Sequence, residues 1–172
     1  MADLHESAEP RLTSTHVVTH ATGAGLVLSG AFAGIIGGVL MGLSASLYAA
    51  SSGAGWSLPM QSVAGTFYGP MAYVGGPGVT AIGSVTFIAV AAVFGMIFAA
   101  ITPHIYSGRT LFWLGIPYGV AVWAFMTYVM IPVFDATMWP RVMAVAVFWF
   151  FLHWIYGVFT GVFIPAFRRM LA

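Results

Sequence analysis

Few side chains here could do chemistry. The 172 residues hold five histidines, four carboxylates and five arginines, with no lysine and no cysteine. His153 stands alone in an apolar run, twelve residues beyond Arg141. An ionisable group inside a membrane span points to function by default. An imidazole there could ligate haem or chlorophyll, shuttle a proton, or hold a quinone carbonyl. The plainer expectation is a neutral ring bonded to a neighbouring carbonyl or to Tyr128, fastening two helices. Haem held by two histidines would need a second one at similar depth, and the other spans have none. Met41, Met96, Met126 and Met130 are the remaining axial donors, although methionines in apolar chains commonly fill gaps.

His16 and His20 are four residues apart and would share one helix face, with His5 near them in sequence. A metal site needs a third and a fourth ligand, and only the acidic N-terminal arm could supply them. The pair is therefore expected to be solvated at the membrane surface, and no metal site is expected. His16 and His20 join His153 as the candidate cofactor contacts. Asp135 and Arg141 bracket a short turn and could pair across it, a weak contact if exposed, or Asp135 could guard a cavity mouth. Arg168 and Arg169 read as anchors beside anionic headgroups. Isolated hydroxyls such as Ser29, Ser44 and Thr86 can bond back to their own helices. Nothing resembles a nucleophile–base pair or a phosphate loop. No enzyme is expected, and no cofactor is required by the sequence.

The elements that must position these groups follow from composition. With 60% hydrophobic and 5% charged residues, the chain lies far from soluble domains, which carry roughly 25% charged residues. The absence of cysteine excludes disulfides and thiolate metal sites. A net charge of +1 gives no footprint for nucleic acid. Between Leu12 and Gly108 there is no charged side chain other than histidine, a run long enough for more than one span of about 20 residues. Turn residues at 51–59 and 75–78 divide it.

The expected architecture is an all-α membrane protein with four spans, about 23–50, 79–102, 110–134 and 141–166. A polar arm, residues 1–15, precedes this single domain of 16–172. Its acidic character is unlike an export signal. Between the first two spans, Pro59–Tyr68 reads as a short interfacial or re-entrant helix. Arg11, Arg109, Arg168 and Arg169 would share one side, with Arg141 on the other, so both termini are expected in the cytoplasm.

Small residues recur at steps of four. Gly30, Gly34, Gly38 and Gly42 line one face of the first helix, a glycine zipper suited to close backbone approach in lipid. Gly83, Ala91, Gly95 and Ala99 repeat the pattern, interrupted by Phe87. His153, Gly157 and Gly161 repeat it again in the fourth helix. Gly115 and Gly119 flank Pro117, where a kink is expected.

Several of these motifs carry a resemblance. Trp56/Pro59/Gln61, the Ala64–Gly69 turn, Pro117-Tyr118-Gly119 with Trp123, and His153/Tyr156/Gly157/Gly161 appear in that order. Together they resemble a group of small uncharacterised bacterial inner-membrane proteins with four helices. The resemblance implies that fold and no activity. Phe87 stands where the pattern has a histidine, so no histidine pair is expected.

The function expected from these features is that of a non-catalytic accessory subunit in a larger membrane complex, respiratory or photosynthetic. The alternatives are a small oligomeric channel or transporter, and a haem- or chlorophyll-binding subunit using His153. The expected partners are the lipid bilayer and other membrane subunits, or further copies of the chain, and not nucleic acid.

Overall fold

A computed structural model describes residues 23–102 and 105–171. The 1–15 arm, His16 and His20 lie outside the described residues. Helix α1 spans Gly23–Ser51, and a loop leads to the short helix α2, Leu58–Tyr68, extended by a 3-10 turn over Gly69–Val74. Helix α3 covers Pro77–Ile101 and α4 covers Gly108–Phe134. The short α5, Trp139–Ala144, precedes α6, Ala146–Met170. Helices α1, α3, α4 and α6 are long and apolar enough to cross a membrane. The chain is an all-α bundle of four such helices, with the non-spanning α2 between the first two.

Local chemistry sets the boundaries. Pro77 occupies the start of α3 after the extended Gly76, where a missing N–H costs nothing. The helix stops at Thr102, whose backbone is extended (φ −100°, ψ 121°), as suits a residue that precedes a proline. Ser107 accepts from Thr110 N at the start of α4.

Helix α4 runs on through Pro117, and the fourth span differs from its expected bounds at both ends. A π turn interrupts α4 at Met126–Met130. Pro132 explains the place: it lacks an N–H, its ring crowds the Tyr128 carbonyl, and a widened turn upstream relieves both. The fourth span does not begin at Arg141. Val145 (φ −125°, ψ 30°) separates α5 from α6, and the 25 residues of α6 already reach about 37 Å, enough to cross the hydrocarbon alone. Nor does it stop at Ala166. The helix continues to Met170 and carries Arg168 into the bundle, where that residue is buried.

The spans stand in the order α3, α1, α6, α4. Helix α1 packs on α3 and α6, and α6 packs on α4. Glycines make two of these seams tight. A Cβ on Gly34 would sit 2.9 Å from Gly95 Cα, and one on Gly30 or Gly38 would strike Ala99 or Ala91. Across the α4–α6 seam, a Cβ on Gly157 would lie 2.8 Å from Gly119 N, while Gly115 and Gly161 face the Gly157 and Leu111 carbonyls. Gly42 instead meets the Phe87 ring and Met60. Helix α2 lies on α3, its Met60 carbonyl against Gly83.

Helices α3 and α4 meet differently, through side chains. Phe98 stacks on Tyr118 with centroids 4.4 Å apart, and Phe94 meets Phe125 edge-on. A gap remains beside them.

Candidate functional site

That gap is an apolar cavity of about 190 Å³ between α3, the π turn of α4, and α6. Along α4 it reaches from Val122 to Asp135, about 20 Å at the helical rise. Phe87, Val90 and Phe94 form the α3 wall; Met126, Met130 and Phe134 form the α4 wall. Trp149, His153 and Tyr156 come from α6, Met41 from α1, and Val63 and Thr66 from α2. A second cavity of about 190 Å³ lies behind Met41, Phe87, Met138 and Trp149, with Arg141 and Phe148 on its wall.

His153 is 2% exposed. Its Nδ1 lies 2.9 Å from the Trp149 carbonyl of its own helix. A carbonyl only accepts, so in this pairing Nδ1 carries the proton and Nε2 keeps its lone pair. No described residue bonds Nε2. The ring is held edge-to-face by Trp149, centroids 4.5 Å apart, and Trp149 Nε1 donates to Thr127 Oγ1 at 2.9 Å. Thr127, fully buried, belongs to the π turn. The imidazole thus bonds within α6. It does not bond to Tyr128, which is exposed and packs on Trp123 and Trp139. In this tautomer Nε2 accepts a proton donor or a metal; it has no proton to give a quinone carbonyl.

Asp135 closes the other end. It follows the last residue of α4 and is 6% exposed, so it is neither an exposed turn residue nor the partner of Arg141. Its Oδ1 accepts from Thr137 Oγ1 at 2.6 Å and from Met138 N at 3.2 Å. Its Oδ2 has no hydrogen-bond partner among the described residues. Gly65 of α2 makes room for it: a Cβ there would fall 2.5 Å from Oδ2. Arg141 lies over the Tyr73 ring instead, 3.7 Å from its centroid.

Two tyrosines tie α3 across the gap. Tyr156 Oη donates to the Ala91 carbonyl at 2.7 Å, and Tyr118 Oη donates to the Phe94 carbonyl. Arg168 is a third tie. Its guanidinium donates to Ala99 O at 3.3 Å and to Thr102 O at 3.1 Å, the carbonyls a helix C-terminus leaves over. It is therefore buried against α3, and not an anchor facing headgroups; Arg169 is exposed. Ser29 and Ser44 bond back to Leu26 O and Leu40 O.

The sequence reveals only part of this site. Tyr118, Tyr156 and Gly65 stand within its motifs, which assign them no role, and Thr127 stands in none. Gly37 faces α6, with a Cβ falling 2.6 Å from Thr160 Oγ1; its position beside Gly38 marks a second small face of α1. Among the described residues no group of three or more histidines and carboxylates could hold a metal ion. The site offers an apolar slot lined in part by His153 and Asp135, with the unpartnered Oδ2 of Asp135 buried against Gly65. No family model, no curated protein and no solved structure matches this chain.

Proposed function

We propose that the chain is a non-catalytic subunit of a larger membrane assembly, respiratory or photosynthetic, in a bacterial cytoplasmic membrane. The exposed outer face of α3 carries this reading. Helix α3 is the least covered of the four, with 22% of its spanning window buried against 44% for α1. Its outer face shows Ile82, Val85, Ala89, Val93 and Ile97, all exposed. The ridge is smooth and free of aromatic rings, whereas α4 and α6 expose Trp113, Phe125, Phe151 and Phe159. Stiff β-branched side chains around an alanine give a surface a neighbouring helix can follow closely. The motif resemblance supports the bacterial inner membrane, and the arginine distribution supports both termini in the cytoplasm.

Purification from native membranes in mild detergent, followed by mass spectrometry of co-migrating polypeptides, tests the reading. Larger subunits are expected in fixed ratio, and Ala89→Trp is expected to release them while leaving the monomer folded. Recovery of the wild-type chain alone, or only with itself, overturns it.

The cavity favours a second reading, a small oligomeric transporter or ligand-holding subunit. It does not favour a tetrapyrrole at His153. About 190 Å³ is below the roughly 300–1,000 Å³ of sites for drug-sized ligands. A macrocycle would have to push aside the wall formed by Met41, Phe87 and Trp149.

A further inference from the structure

Asp135 brings a carboxylate into a place where charge is costly. It is buried beside an apolar slot, one oxygen is capped by the turn that follows, and the other accepts no bond from any described residue. Burying an unpaired ion is strongly unfavourable unless a counter-charge or a proton arrives. The groups around it supply no cation. Arg141 is engaged by Tyr73, His153 holds its single proton against the Trp149 carbonyl, and the facing α2 residues are Val63, Gly65 and Thr66.

The rest of the wall is suited to a cation with an apolar body. Phe87, Phe94, Phe134 and Trp149 line the same slot, and aromatic faces attract cations through the ring quadrupole. Met126 and Met130 add soft, adaptable surface of the kind that promiscuous binding sites use. The volume is right for a single substituted ring: a cavity of about 150 Å³ already holds benzene, and this one has about 190 Å³.

From these observations we infer that the slot between α3 and the π turn binds a lipophilic organic cation, a small aromatic or alkyl ammonium, with Asp135 as its counter-ion. The charged end sits beside Asp135 under α2, and the apolar body extends along α4 toward Trp149. The site rests on the cavity alone and is independent of whether the chain belongs to an assembly.

The experiment uses the full chain in nanodiscs of zwitterionic lipid and radiolabelled benzyltrimethylammonium. Saturable binding is expected. Asp135→Asn is expected to weaken it roughly tenfold or more, the scale of losing one desolvated ion pair. Asparagine keeps an oxygen to accept from Thr137 and Met138, so this variant retains the turn. The neutral isostere 2,2-dimethylpropylbenzene is expected to compete equally with the label's apolar contacts in wild type and variant. Val90→Trp fills the slot far from Asp135 and is expected to abolish binding of both compounds. Failure of the cation to bind saturably overturns the site. Equal affinity of wild type and Asp135→Asn for the cation overturns the role of the carboxylate, and with it the ligand class.

Discussion

Two kinds of seam hold this molecule together. Along α1–α3 and α4–α6, glycine lets backbone meet backbone, and the contacting atoms are carbonyls and Cα groups that cannot rotate away. Between α3 and the α4–α6 pair, side chains span a gap: Tyr118 reaches from α4, and Tyr156 and Arg168 reach from α6. Lipid tails are as apolar as leucine, so close van der Waals approach is what joins helices in a bilayer. The first kind of seam makes the bundle rigid. The second leaves room, and the room is the cavity.

The comparison can be broken at its strongest point. Gly95→Leu puts a branched side chain where Gly30 and Gly34 backbone already sits. Ordinary overpacking costs about 1–3 kcal/mol, and here no flexible side chain can yield, so loss of the folded bundle is expected. Thermal unfolding in detergent, read by circular dichroism, checks it; a melting profile like wild type would mean that the seam is looser than described. The Arg168 tie ranks next. Arg168→Met keeps the length and apolar stem but strands the Ala99 and Thr102 carbonyls, which should cost about 1–3 kcal/mol. The bundle should still fold, with a lower melting temperature, and the proximity of α3 and α6 ends should loosen in cysteine cross-linking. Smallest is Tyr156→Phe, which removes one interhelical hydrogen bond worth about 0.6 kcal/mol in membranes. Its melting shift should be slight. A loss as large as that of Gly95→Leu would make the two seams equivalent and remove the distinction.

The spans were legible because a bilayer demands long apolar runs and proline and glycine punctuate them. The ends of the fourth span were not. Residues 141–166 are apolar apart from Arg141, His153, Tyr156 and Thr160, and only the backbone at Val145 shows where α5 gives way to α6. The four-residue glycine steps marked small faces but carried no partner identity: Gly30, Gly34 and Gly38 meet α3, whereas Gly157 and Gly161 meet α4. The cavity depends on the row order of helices, which no single helix encodes. Asp135 reads as exposed because it follows a span and precedes a turn. It is buried because α2 folds over it, and a glycine far away in sequence provides the space.

The π turn at Met126–Met130 has a consequence for register. Such a turn is one residue more than the α-helix needs, and each residue turns the chain by about 100°. Everything in α4 beyond it, from Ile131 to Phe134 and on to Asp135, is thereby rotated about the helix axis relative to the stretch that packs on α6. A regular helix of the same sequence would keep Gly115 and Gly119 seated and swing the carboxylate to another side of the bundle. The extra residue therefore uncouples two alignments that one helix could not satisfy together.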